Sequence, residues 1–373
     1  MRRTAGKIRC LLPCGIITCL WGCSMDFNVH DQTGAWVGIV ENPTSAIWTR
    51  RYQQPGDFEI YLPATAEMLS LLADDYYITR EDAPEVMIIE HIEITTGSEE
   101  GNHILISGRG AESLLDRRII WQQTALSGRV DAGIYRLIRE NAIAPSNTAR
   151  ALPLSMVSPN VAADSINAQY TGTGLLEAVQ EICQAYGLGF RAITQDHGII
   201  APIFQLLKGK DRSEGQTANS PVIFSAEFEN LLSSAYVMDT AKYKNVALVA
   251  GEGEGKARKT VTLGTASGTA RREMFVDARD LSSNDGEISA TDYSAQLMAR
   301  GGEKIADCQL TEAFDGEIDT ANTFVLDEDY TLGDIVTVEN EYGIRKNARV
   351  AAIMETWDDE GYTAVPTFEN VEV

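Results

Sequence analysis

The sequence predicts an α+β protein that is mainly β, in which two β-rich blocks flank a smaller α+β module. Three observations carry that expectation. Apolar and polar residues alternate over short runs near both ends of the chain, the period of two that buries one face of a strand. Helical spacing is confined to a few stretches, chiefly residues 130–141, 173–186 and 291–306. The length of 373 residues, 44% hydrophobic and 23% charged, fits a folded chain of two to four domains with a sizeable core.

Residues 1–24 differ from everything after them. Arg2, Arg3, Lys7 and Arg9 form a basic start without an acid, and an apolar run over 11–21 leads to Gly22 and Cys23. The pattern reads as a leader with a near-lipoprotein cleavage box, Leu-Trp-Gly-Cys, or as an over-extended start ahead of Met25. Trp21 is bulky where small residues are usual, which favours the second reading. An apolar run of about eleven residues is too short to span a bilayer as a helix.

Residues 25–125 read as an N-terminal β-rich domain, a small barrel or strongly curved sheet. Its centre is 47–62, where an aromatic and β-branched run meets Gln53-Gln54-Pro55-Gly56-Asp57 and then the alternation of Phe58, Ile60 and Leu62. Pro55 presets one corner of a tight turn, and Gly56 is expected to take a positive φ at the next. Residues 86–95 and 103–108 form a second hairpin across the turn at 97–101. Val86, Ile88, Ile92 and Ile94 are expected on one face, meeting Ile104 and Ile106. Residues 111–118 turn into a helix.

Residues 126–228 read as the α+β module. Thr173 is expected to cap the helix over 173–186, with Gly187 as its left-handed stop. Strands follow at 189–193 and 199–204 around a turn at 196–198. Residues 229–373 form the C-terminal β-rich domain, with a hairpin over 245–263, one helix over 291–306 and strands from Cys308 onward.

Four blocks carry a family resemblance: IWTRRYQQPGDFEIYLP, then IIEHIEI with GNHILISGRGAESLLDRRII, then YKNVALVAGEGEG, and finally LGDIVTVENEYGIRKNARVAAIMETWDDEGYTAVPTFE. In this order they resemble siphophage tail proteins of the baseplate-hub or tail-tip type, the Siphovirus ReqiPepy6 Gp37-like family. The resemblance implies two β-barrel-like tube domains flanking the small module, and a homotrimer that builds a pseudo-sixfold ring. It implies a virion structural protein of a siphovirus or prophage, assembled in the host cytoplasm and located in the virion tail. There it would join the tail tube to the tip around the DNA exit channel and take part in DNA ejection. Its partners would be distal tail and tip proteins. No sequence repeat links 25–118 with 311–373, so the duplication of tube domains rests on the resemblance alone.

The chemistry the residues offer is sparse. A net charge of −23 argues against a nucleic-acid-binding surface, although a negative channel wall would keep passing DNA from sticking. The glycine run 251–255 before Lys256 is one residue short of a phosphate loop, and Ala257 stands where Ser or Thr would hold magnesium. His91, Glu93 and His103 are the best metal guess, but they lack ligand spacing. Asp327 with Asp329, or Glu355 with Asp358, could be drawn as acid and base, yet solvated loops explain them as well. Cys183 and Cys308 read as isolated small residues. Arg50 and Arg51 are a cationic doublet in a strand: either salt bridges within the chain or a clamp between subunits. The expectation is therefore no enzyme, catalytic site, cofactor or metal. Two alternatives remain open: a tail-associated peptidoglycan hydrolase, for which the chain leaves no room after its last β block, and a surface lipoprotein anchored at Cys23.

Overall fold

A computed structural model describes residues 25–97, 101–158, 160–195, 198–318 and 324–370. The readings made on 1–24 and on the turn tips 98–100 and 196–197 lie outside the described residues. Among the described residues, no helix is long and apolar enough to cross a membrane.

The first part of the chain supplies β1 (Phe27–His30), β2 (Trp36–Val40), β3 (Ser45–Arg51), β4 (Asp57–Pro63), α1 (Ala66–Leu71), β5 (Tyr77–Thr79), β6 (Val86–Gly97) and β7 (Gly101–Gly110). They lie in the order β3-β4-β7-β6-β5-β1-β2. Alternation buries Phe58, Ile60 and Leu62 of β4 with Phe27, Trp48 and Ile106 in one core.

The middle part supplies β8 (Thr124–Arg129), α2 (Val130–Ile138), β9 (Ser155–Met156), β10 (Ser165–Tyr170), α3 (Leu175–Ala185), β11 (Gly189–Ile193) and β12 (Ile203–Leu207). The apolar stripes of α2 and α3 face each other over a separate core containing Ile134, Leu137, Val179, Ile182, Phe190 and Phe204.

The last part adds β13 (Ile223–Ser225), β14 (Leu231–Asp239), β15 (Val246–Ala250), β16 (Thr260–Leu263), β17 (Glu273–Asp277), α4 (Ala290–Ala306), β18 (Thr311–Ile318), β19 (Ile335–Glu339), β20 (Arg345–Asp358) and β21 (Gly361–Asn370). A small β16-β15-β17 sheet packs under α4 through Val249, Tyr293 and Leu297.

The long strand β20 joins the two β-rich ends. One edge pairs with β21; the other pairs first with β19 and then, from Ala352 to Trp357, with β3. The ends thus share one 13-stranded sheet, with β14 and β2 at the two ends of its main path. The expectation of two barrel-like domains meets no closed barrel among the described residues. The edge of β3 that would have to meet β2 to close the first block is taken by β20.

Local differences from the expected elements have physical causes. Gly56 does not have a positive φ; its turn needs glycine for closeness, because a Cβ would stand 2.6 Å from the Thr49 carbonyl oxygen. The β6–β7 ladder slips between Ile89 and His91, leaving Glu90 as a bulge. The bulge reverses the alternation, so Val86 and Ile88 face one core while Ile89, Ile92, Ile104 and Ile106 face another, and Ile94 is half exposed. Residues Ala111–Arg117 form a 3-10 helix. Helix α3 starts after Gly174 without a side-chain cap, because the Thr173 segment bridges to Ile119 and Ile120. Gly187 follows it at φ +62°, the left-handed stop. The second module strand starts at Ile203, since Ile199 bridges instead to Ala35.

Candidate functional site

The end of β3 is where all three parts of the chain meet. Arg50 is buried at 7% exposure and ion-pairs with Asp327 at 2.9 Å and Glu355 at 3.3 Å. Arg80, just after β5, shares Glu355 at 3.2 Å and also holds Asp82 at 2.6 Å. Its guanidinium lies 4.5 Å from the Trp357 ring centre, and the Tyr362 hydroxyl donates to Glu355 at 3.1 Å. One buried carboxylate on β20 therefore bridges two buried guanidiniums from the first block, and Asp327 and Asp82 supply the further negative charge. Burial by itself lowers the Arg50 pKa, but Glu355, Glu85 and Asp327 reverse this and leave it above its ordinary value.

Two residues on, Tyr52 continues the junction. Its ring fills a slot between Gly189 and Gly333, where a Cβ would come within 2.3 Å and 2.2 Å of ring carbons. Its hydroxyl donates to the Gly187 carbonyl at 3.1 Å and accepts from the Gly209 amide at 3.1 Å. The Tyr52 carbonyl accepts from Phe190, its amide donates to Ala351, and the Arg349 guanidinium stacks 5.1 Å from its ring centre. Gln53 donates to the carbonyls of Cys183 and Leu188.

Glu112 closes the other side of the hairpin. Its two carboxylate oxygens accept from Gly56 at 3.1 Å and Ala192 at 2.9 Å, tying the turn to β11. Burial pushes its pKa up to about 7 against the pull of those amides. Both oxygens are occupied, so the group acts as a brace. Clefts of about 310 Å³ and 360 Å³ open beside Gln53 and Gln54 and beside the Arg50–Glu355 pair, respectively.

The residues singled out by sequence scatter. His91 lies opposite Ser107 and His103 opposite Thr95, four positions apart along β6, with His91 3.8 Å from Glu93. Among the described residues, no group of three His, Cys, Asp or Glu side chains converges. Asp329 bonds the Val325 amide and Asp358 closes the β20–β21 turn, so neither faces its sequence partner. Glycines 251–255 sit in the β15–β16 connection, where Glu252 pairs with Lys259 at 2.8 Å. The Cys183 thiol is fully buried, which pushes its pKa up and leaves it inert. Arg50 and Arg51 are both paired within the chain, Arg51 to Asp57. Sequence reasoning missed Arg80, Glu112 and Tyr52. The available signal was a charged residue set between buried apolar ones, Ile78 before Arg80, and Ala111 with Leu114 around Glu112.

Comparison with known proteins agrees with this layout. A family described as Siphovirus ReqiPepy6 Gp37-like protein matches residues 26–368. The 43 kDa tail protein of prophage MuSo2 from Shewanella oneidensis has a similar fold: TM-score 0.55 at 11% identity, covering 92% of this chain and 98% of that one. A tail protein from Neisseria meningitidis MC58 gives 0.55 at 13% identity over 92% and 96%. Prophage tail protein gp18 from Listeria monocytogenes EGD-e gives 0.51 at 10% identity over 93% and 94%. No curated protein matches by sequence.

Proposed function

Because the chain belongs to the Siphovirus ReqiPepy6 Gp37-like family, we propose that it is a non-enzymatic structural component of a phage or prophage tail tip. In this reading it forms a hub ring that joins tail tube to tip around the DNA exit path, as a homotrimer held among distal tail and tip proteins. The observation that carries it is the β3–β20 pairing, which fuses the two β-rich ends into one sheet and locks them with the Arg50–Glu355–Arg80 cluster. A ring element under axial load needs a subunit whose two halves cannot hinge. Charge adds support: −23 on a channel-forming subunit repels the polyanion that must slide past.

Immunogold labelling of the encoding phage's particles tests the reading. Label at the distal end of the tail is expected; label on the capsid, or none on tails that carry their other components, would overturn it.

A further inference from the structure

A surface patch away from the junction pairs exposed apolar side chains with arginines, in a chain of net charge −23. Trp121 is 65% exposed, and the Arg150 guanidinium lies 5.0 Å from its ring centre. Ile119, 43% exposed, and Arg118 stand beside them. The arginines fasten to nearby backbone: Arg118 Nε donates to the Arg150 carbonyl and an Arg150 terminal nitrogen donates to the Ile119 carbonyl, both at 2.7 Å. Arg118 also donates to the Arg117 carbonyl at 2.8 Å.

None of these partners is a carboxylate. Arg109, Arg117 and Arg136, by contrast, each hold an acid. Burial together with the like charges of Arg150 and Arg117 draws the Arg118 pKa down. Among the described residues, these two adjacent cations have no carboxylate partner, in a chain with 54 acidic and 31 basic residues. The backbone beneath is fixed, with the Trp121 amide donating to Asn141 at 3.1 Å and the Ile120 amide to Thr173 at 2.9 Å. An exposed tryptophan under a held arginine is the composition of interface anchors, and its rigidity lowers the ordering cost of binding.

We propose that Trp121, Arg150, Arg118 and Ile119 form the basic half of a contact between copies of this chain and receive an acidic, partly apolar face of the neighbouring copy. The inference rests on the ring reading above. Identical subunits close a ring through a heterologous contact, in which two different patches of one chain meet. The large acidic excess of this chain makes the opposing patch complementary to unpaired guanidiniums.

The test is sedimentation of the full chain over a range of concentrations at low and high salt. It is run beside Trp121→Ala, Arg150→Glu and, as a charge-matched control elsewhere on the surface, Lys242→Glu. Thermal melts confirm that each is folded; Trp121→Ala alters an exposed side chain and keeps the test valid if Arg150→Glu misfolds. The expected result is self-association weakened about tenfold or more by both patch variants, weakened by salt, and unchanged by Lys242→Glu. Patch variants that associate like the unaltered chain would overturn the proposal and leave the ring reading standing. A chain that stays monomeric yet labels tail tips would do the same, and would pass the patch to another tail protein or an anionic polymer. A chain that neither associates nor labels tails would remove both.

Discussion

Tyr52 and Trp357 stand at opposite ends of the β3–β20 pairing, and each is buried in the other block's core. Tyr52, directly after the first block's strand β3, packs with Val336, Val350 and Phe368. Trp357, on the last block's strand, packs with Phe27, Trp48 and Phe58. Neither core is complete without the other end of the chain.

Trp357→Ala should therefore cost about 3–5 kcal/mol, the range for emptying a core of a large aromatic, although the side chain sits at the C-terminal end. Tyr52→Phe should cost about 1–3 kcal/mol, because the Gly209 amide loses its acceptor inside the junction. Melting followed by tryptophan fluorescence and by far-UV circular dichroism should give one coincident transition for both blocks. Two separated transitions in the unaltered chain would show that the exchange of side chains does not couple them.

The hairpin turn makes a second test. Gly56→Ala should already destabilise, by about 1–3 kcal/mol of overpacking, since any Cβ meets the Thr49 carbonyl at 2.6 Å and the Met87 methyl at 3.1 Å. Gly56→Val should be worse. Gly101→Ala, at φ +81° with open space around it, strains only its own backbone and is the milder control. Equal melting temperatures for Gly56→Ala and the unaltered chain would remove the close-approach argument.

Much of this architecture was legible because period and turn chemistry are local. The alternation in β4, the stripe of α3 and the Gly187 stop all follow from neighbours within a few residues. The β6–β7 hairpin was visible too, but its bulge was not: the sequence shows alternating isoleucines, and only the ladder shows that Glu90 has been extruded to reach Arg109 at 2.7 Å. The β3–β20 pairing joins residues some three hundred positions apart, and no periodicity in either strand names its partner. The same distance hid the junction. Glu355 looked like one of many surface acids, because its burial is set by Arg50 and Arg80 arriving from the other end of the chain.

A pH dependence follows from two buried carboxyls. Burial raises Glu112 from 4.5 to about 7, and burial, opposed by the Tyr170 hydroxyl and Arg300, raises Glu303 to about 7. Between about 4.5 and about 7 the folded chain then binds more protons than the unfolded one, so stability should fall as pH rises through that window. For Glu112 alone the full span is on the order of 3 kcal/mol. Glu112→Gln should flatten the slope while lowering stability overall, because its one oxygen can accept from only one of the Gly56 and Ala192 amides and its amide nitrogen faces the other as a donor. A melting temperature that climbs from pH 5 to pH 7 in the unaltered chain and in Glu112→Gln alike would sink this account.

The ionic cluster gives the sharpest contrast. Removing Glu355 takes away the buried counter-ion shared by Arg50 and Arg80, which are 7% and 2% exposed, and leaves them beside each other with only the more exposed Asp327 and Asp82. Breaking a buried pair by deleting one partner costs about 3–5 kcal/mol, chiefly the penalty of the uncompensated charge left behind. Glu355→Ala should therefore remove a large share of a typical margin of about 5–15 kcal/mol. Replacing the charges together should be far milder. A triple Arg50→Met, Arg80→Met, Glu355→Leu variant fills similar volume without charge, and should recover most of the loss. Arg51→Ala breaks only the half-exposed pair with Asp57, so it should cost about 1 kcal/mol or less and leave assembly intact. Urea titrations of the four chains decide the matter. If Glu355→Ala and Arg51→Ala shift the midpoint equally, the seam is held by its strands and aromatic rings alone, and the buried charges serve another purpose.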